Sequence, residues 1–398
     1  MEHIWFPRAS RRYAASPFGL ELQDFADWLD EVGYSRDNIE GHLRRLYVAL
    51  SESRVRRPEG WSADQLHVLF DPYCASTRRS QWHRGTQRVY RRFLAARGRL
   101  IQRPSSDPTE SLQRKYRDYL SEVRGFTDAT AVAHLSTVRE FLGTVFQGKA
   151  FNSLDSGDIE QFLAHRGRRI TRQTLQHIIA HLRSFLRYGF TAGLLPRRLD
   201  EIDTPRTYRD ELPPRALPWA QVAALLRSVD RSSRAGWRDA AVLHLMAYYG
   251  LRGSEIATLR FDAIDWQART VRVTQCKTRS DLILPLTRAT LSLLRGYIKR
   301  ERGSSALPYL FLRVRRPSGP LKIHGICDIF YKRAALSGLK LAGYSSYSLR
   351  HSFAMRLLQR NVGVKAIGDL LGHHSLEATC VYLRLDTTAL RTVGLPLP

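Results

Sequence analysis

At 398 residues, 43% of them hydrophobic and 25% charged, the chain is long enough for two or three domains and too apolar to be disordered. A formal net charge of +26 points to a polyanionic partner, because each neutralised phosphate releases condensed counterions. The longest apolar run, Ala240 to Leu251, is broken by His244 and too short to span a bilayer, and neither a secretory signal nor a lipidation motif is legible, so a cytoplasmic protein is expected. Cys74, Cys276, Cys327 and Cys380 have no paired spacing, which argues for reduced thiols and against a zinc ribbon or disulfide framework.

Residues 1–18 are basic and irregular and read as an arm. From Leu20 onward Leu22, Phe25, Ala26 and Leu29 recur at helical spacing, and Ile39, Leu43, Leu46 and Leu50 follow the turn at Gly33. Ser62-Ala63-Asp64 reads as a helix start before Leu66, Val68, Leu69 and Phe70. A basic helix over Gly85–Ala96 turns Val89, Phe93 and Leu94 inward, with Arg84, Arg88 and Arg91 on a separate face as candidate DNA contacts.

This arrangement then repeats. Leu29 corresponds to Leu120, Gly33 to Gly125, Leu43 to Leu135 and Leu94 to Leu186, at offsets of 91 or 92 residues. Two tandem helical modules are expected, residues 1–106 and 107–202, joined by the Pro-Ser-Ser-Asp-Pro stretch at 104–108. The last helix of the second module, Thr171 to Tyr188, carries Arg172, Gln173, Gln176, His177 and Arg183, side-chain types that reach phosphates and base edges.

A linker over 203–218, marked by Pro205, Pro213, Pro214 and Pro218, leads to a third domain over 219–398. Its helix Trp219–Val229 precedes a strongly apolar helix (Ala241, Val242, Leu245, Met246, Tyr249) that delivers Arg252. Residues 263–286 alternate as strands about a turn at 277–281, which puts Lys277 on a hairpin. Helices return at 289–300, 323–336 and 350–358. The expected fold is mainly α with a small antiparallel sheet (α+β).

The final stretch concentrates the chemistry. Ile367, Leu370 and Leu371 form a short helix pattern that stops at Gly372, a residue suited to a left-handed helix end. Ser375 can cap a new helix with Thr379 and Tyr382 on one face, while His373 sits in the turn between. A phenol is a poor nucleophile near neutrality and needs cations and a base beside it. Candidates lie upstream: Arg252 in Tyr-Gly-Leu-Arg-Gly-Ser-Glu-Ile, Arg350 in Tyr-Ser-Leu-Arg-His-Ser-Phe, and Lys277.

Through these residues the C-terminal half resembles the tyrosine recombinases, or phage integrase family, whose pattern is Arg, Lys, His-x-x-Arg, His or Trp, then Tyr. Here Tyr382 follows His373 by nine residues after a Leu-Gly-His. The resemblance implies that Arg252 and Arg350 clamp a DNA phosphate, Lys277 protonates the leaving 5′ oxygen, and His373 donates a hydrogen bond. Tyr382 then attacks to give a 3′-phosphotyrosine. Glu255 would orient the site and His351 would support it. One position departs, since Tyr347 stands where the family has histidine. Tyr347 is expected to keep the phosphate contact, but a phenol with a pKa of about 10 is a poor proton acceptor.

The second module resembles the family's DNA-clamping core-binding domain, and the first is an addition to that plan. The implied partners are double-stranded DNA recombination sites, further copies of the chain (a dimer or tetramer on DNA) and accessory proteins, in a bacterial, nucleoid-associated setting. No metal or other cofactor is implied, and His351, His373, His374 and Cys380 have no clean ligand spacing. Integration or transposition of a mobile element and resolution are the implied outcomes. A DNA-binding accessory factor without strand transfer, and a tyrosine-type topoisomerase, stay open as alternatives.

Overall fold

The structure, a computed structural model, describes residues 13, 15–53, 60–74, 80–101, 108–145, 150–206, 215–275, 280–373 and 375–383. Lys277, His374, most of the basic arm, the 104–107 link and the chain end beyond 383 lie outside the described residues. The fold is mainly helical with a small antiparallel sheet, as expected. Two compact units are formed, Met1–Leu100 together with Leu212–Pro398, and Ile101–Glu211.

The first helical set comprises α1 (Gly19–Glu31), α2 (Arg36–Glu52), α3 (Ala63–Cys74) and α4 (Ser80–Ala96). Its core takes the apolar positions read from the sequence except Val68, which faces solvent. The expected helix start at Ser62 is made by exchange: Ser62 Oγ accepts from the Gln65 N–H at 3.2 Å, and Gln65 Oε1 accepts from the Ser62 N–H at 2.8 Å.

The Ile101–Glu211 unit holds α5 (Pro108–Asp118, continuing through a π-helical turn over Tyr119–Val123), α6 (Asp128–Val145), α7 (Ser156–Gly167) and α8 (Arg172–Thr191). Asp155 and Asp158 form the matching capping exchange ahead of α7, and Thr171 caps α8. Buried residues recur between the two sets at the offsets seen in the sequence. Phe25 and Tyr116, Leu43 and Leu135, Leu50 and Leu142, and Phe93 and Phe185 are all buried. These four pairs keep an offset of 91 or 92 residues between inward positions.

In the C-terminal part, α10 (Gly236–Tyr249) is apolar nearly all round and is buried accordingly, with α9 (Trp219–Arg227), α12 (Arg288–Tyr297), α13 (Ile323–Leu336) and α14 (Ser346–Leu358) contributing to the same core. The short α11 (Gly253–Thr258) follows α10. The sheet has the order β1 (Ile264–Asp265), β2 (Thr270–Gln275), β3 (Ser280–Pro285), all antiparallel, with Thr270 opposite Pro285 and Gln275 opposite Ser280. Val271 and Val273 point into the core while Arg272 and Thr274 face out, the alternation of a sheet with one wet face.

Helix α14 begins at Ser346, four residues earlier than its apolar pattern implies, because Ser345 and Ser348 exchange capping bonds. Arg350 is therefore inside the helix rather than at its start. The last two helices are α15 (Val364–Leu371) and α16 (Glu377–Cys380). Among the described residues no helix is long and apolar enough to cross a membrane.

Candidate active site

Two glycine stops bring the site together. Gly250 ends α10 with φ 63°, and Gly372 ends α15 with φ 62°. Neither position has room for a side chain. A Cβ on Gly250 would lie 2.6 Å from Phe353 Cδ1, and one on Gly372 would overlap the Gln275 carboxamide. The second contact matters for placement, because Gln275 ends β2 opposite Ser280, the first residue of β3. The hairpin base thus sits against the turn that presents His373.

Arg350, on α14, is 1% exposed. Its Nη1 donates to Gly250 O at 2.6 Å and its Nη2 to Leu371 O at 2.5 Å, while Nη2 also lies 3.4 Å from His373 Nε2. Its Nε is buried and has no partner among the described residues. A buried, unsatisfied guanidinium N–H is costly unless a ligand accepts it.

Arg252, the residue before α11, is held by Glu255. One carboxylate oxygen accepts the Arg252 N–H and the other accepts Arg252 Nη1–H, both at 2.7 Å. Glu255 is buried, so the pair is well shielded, and Arg252 stays partly exposed. Burial and the neighbouring Arg252 charge press the Arg350 pKa down, and Glu255 offsets part of that.

His373 sits in the turn after Gly372, and its Nδ1 lies 2.7 Å from Thr379 Oγ1. Helix α16 spans only four residues, so Tyr382 falls beyond it rather than on a shared helical face with Thr379. Ser375 Oγ does accept the Ala378 N–H, at 3.4 Å. Thr379 and Tyr382 are both buried, the latter against Ala354, Met355, Ile367 and Leu371.

The Tyr382 hydroxyl lies 3.0 Å from His351 Nδ1. Tyr347, one turn earlier on α14, sets its ring edge-on to His351 at 4.6 Å between centroids and is 46% exposed, so it is not a core residue. Burial first, and then Tyr347, push the Tyr382 phenol up to about 12, against the pull of Arg350 and Arg252. Burial and the Arg350 charge push His351 down to about 4, so its imidazole is neutral near pH 7.

The candidates Arg252, Glu255, Tyr347, Arg350, His351, His373 and Tyr382 are thus linked through hydrogen bonds, ring contacts and mutual charge effects. Thr379 and Gln275 belong to the same cluster, although no sequence signal assigns them a role. Among the described residues no group of three His, Cys, Asp or Glu side chains is arranged to hold a metal ion. Of the candidate DNA contacts, Arg84, Arg88, Arg91, Arg172, Gln173 and His177 are exposed. Gln176 and Arg183 differ: Gln176 Nε2 donates to Pro205 O at 2.8 Å and Arg183 Nη2 to Ile202 O. These two fasten the segment that follows α8, while in the first set Arg84 Nη2 donates to Cys74 O at 3.2 Å and Arg88 Nε to Arg84 O at 3.3 Å.

Comparisons with known proteins bear on this geometry. The model of the phage integrase family matches residues 215–388, and that of the phage integrase N-terminal SAM-like domain matches residues 114–193. The integrase/recombinase-type protein y4rF of Sinorhizobium fredii is 29% identical over 406 residues, spanning 98% of this chain and 93% of its own. That alignment takes in the first helical set, which lies outside both family models. A tyrosine recombinase of Pseudothermotoga lettingae is 30% identical over 69% of this chain and 94% of its own. Among solved structures, the XerH site-specific recombinase bound to a palindromic difH substrate is similar with a TM-score of 0.58 at 17% identity, covering 88% of this chain and 93% of that one. A lambda integrase dimer bound to a COC′ core site gives 0.54 at 17% identity, covering 69% and 94%. At these identities the likeness is one of fold.

Proposed function

This chain belongs to the tyrosine recombinase, or phage integrase, family of enzymes, and from that premise we propose that it cleaves and rejoins DNA through a 3′-phosphotyrosine on Tyr382. The observation that carries the reading is Arg350, whose guanidinium is fixed by two backbone carbonyls while its buried Nε is left for a ligand beside His373. A phosphodiester oxygen suits that N–H, since a guanidinium stays charged and its planar fork matches phosphate geometry. Arg252, steadied by Glu255, supplies the second arm of the clamp.

His373, with Nδ1 engaged by Thr379, turns Nε2 toward the same place and donates to a phosphate oxygen. Tyr347 stands at the rim as a further hydroxyl donor. Tyr382 attacks phosphorus, and Lys277 protonates the departing 5′ oxygen, a role supported by the hairpin base at Gln275 lying against Gly372. The second helical set, with Arg172, Gln173 and His177 exposed, clamps DNA; the exposed Arg84, Arg88 and Arg91 of the first set extend that contact. The net charge of +26 supports DNA as the partner, bound by two or four copies of the chain. Relatives named as integrases support a role in moving a DNA element.

The test is a DNA substrate nicked so that the cleaved end diffuses away and covalent adducts accumulate. The wild-type chain should form an adduct that survives denaturation, and Tyr382→Phe should bind DNA but form none. An adduct in the Phe variant places the nucleophile elsewhere.

A further inference from the structure

We propose that His351 is the proton acceptor for Tyr382, a catalytic role that rests on the assignment of Tyr382 as nucleophile. Three features on α14 and the chain segment after α16 lead to it. First, His351 Nδ1 lies 3.0 Å from the Tyr382 hydroxyl, within reach of the proton that must leave it. Second, the position at which the family has histidine is here Tyr347, and a phenol does not accept a proton near neutrality. Third, His351 is kept neutral, and a neutral imidazole accepts at one ring nitrogen only. With the Tyr382 hydroxyl donating, Nδ1 is that acceptor and Nε2 carries the hydrogen.

The groups that face this contact are Tyr347 and Arg350 from α14, Arg252 ahead of α11, and Tyr382 itself. Arg350 and Arg252 favour the phenolate, while Arg350 opposes a second cation on His351. A bound phosphate carries a negative charge into the same space. It offsets Arg350 and so removes one of the two causes that weaken His351 as a base.

The Tyr382 Oη–H bond breaks and its proton passes to His351 Nδ1, while an Oη lone pair forms the bond to phosphorus. The bond from phosphorus to the 5′ oxygen breaks, and that oxygen takes a proton from the general acid. Rejoining reverses each movement: the incoming 5′ hydroxyl attacks, Tyr382 leaves, and the imidazolium returns its proton.

His351→Asn keeps an oxygen acceptor near the Nδ1 position but cannot hold a proton. In single-turnover adduct formation at pH 7 it should be slower by about a hundredfold or more, with DNA affinity unchanged. Replacing Tyr382 with a difluorinated, more acidic tyrosine should shrink that defect to less than about tenfold, in the range a base of small residual importance contributes. A mere positioning contact would not be relieved by acidity. Wild-type rates in His351→Asn, or a defect untouched by fluorination, would overturn the proposal.

If His351→Asn loses DNA binding through misfolding, His351→Gln and the fluorinated protein with His351 intact give the reading. Strong acceleration by fluorine with His351 present would mean that no base assists, and would also overturn it. Failure of the underlying assignment looks different, since Tyr382→Phe would then still form an adduct.

Discussion

Arg350 and Gly250, a hundred positions apart, are joined by a 2.6 Å hydrogen bond from Nη1 to the glycine carbonyl. The same guanidinium reaches Leu371 O through Nη2. Both carbonyls lie at helix C-termini, where backbone oxygens lack intrahelical partners and the macrodipole is negative. One buried cation therefore ties the ends of α10 and α15 to α14. The side chain placed beside His373 is also part of the scaffold.

That sharing makes Arg350→Lys informative. A lysine keeps the charge but has no planar fork, so it cannot hold both carbonyls and also present a donor at the Nε position. Adduct formation is expected to fall about 10²–10³-fold, as for a lost donor to transition-state charge. Leaving one carbonyl unpaired should also cost about 1–3 kcal/mol in a denaturant melt. Loss of activity without loss of stability would separate the two roles given to this residue.

Tyr347→Phe removes a hydroxyl from a half-exposed ring, so stability should hardly change. Cleavage should slow by roughly tenfold to several hundredfold if the hydroxyl donates to phosphate. Tyr347→His should retain activity, and in a His351→Asn background it should restore part of what was lost. Wild-type single-turnover rates in Tyr347→Phe would reduce Tyr347 to a packing partner of His351.

The arginines, His373 and Tyr382 were legible because their spacing and their neighbouring glycines are local. Gly250 and Gly372 adopt the left-handed stops that their place after apolar helical runs implies. The recurrence of buried positions between the two helical sets was legible for a similar reason, a nearly constant offset. The hydrogen bond between His351 and Tyr382 was not, because it depends on how a turn 31 residues away folds back over α14. Thr379 faces inward to His373 from the short α16, a helix whose four-residue length no periodicity announces. Gln176 and Arg183 have the composition of DNA contacts, and their bonds to Pro205 O and Ile202 O depend on the course of residues 202–205, which no local pattern announces.

Thr379→Val tests the inward hydroxyl. The partner of one imidazole nitrogen sets what the other can do, and here Thr379 Oγ1 engages His373 Nδ1 at 2.7 Å. Valine keeps the volume and removes the bond, so the fold should persist. Adduct formation should drop about tenfold, in line with one weakened donor, and the ring nitrogens of His373 should lose their single tautomer in nitrogen-15 spectra. A single tautomer in the variant would show that another group orients the ring.

The face of α4 bearing Arg84, Arg88 and Arg91 is open to solvent. Replacing all three with alanine should lower the slope of log affinity against log salt by roughly 2–3, about 0.9 for each phosphate that is no longer neutralised. An unchanged slope with an altered oligomeric state on DNA would assign this face to protein contacts.

Acid stability follows from four histidines whose pKa values are all pushed down to about 4, chiefly by burial. His42 also feels Arg45, His134 feels His181 and Arg124, His244 feels Arg231, and His351 feels Arg350. In the unfolded chain each would titrate near 6.5. Between those values the unfolded state binds protons that the native state refuses, so stability rises with pH. It should be complete above about pH 6.5, fall steadily toward pH 4, and level off below. Because these residues lie on α2, α6, α10 and α14, each of the three large cores is affected. Replacing His244 with glutamine keeps a partner for Thr290 Oγ1, now 3.0 Å from the ring, and removes one such proton. The pH slope of stability should then flatten by at most about 1.4 kcal/mol per pH unit, the limit for a single proton. Thermal or denaturant melts at half-unit steps from pH 8 to pH 4.5 measure this, and a native state equally stable at pH 5 and pH 7 would contradict it.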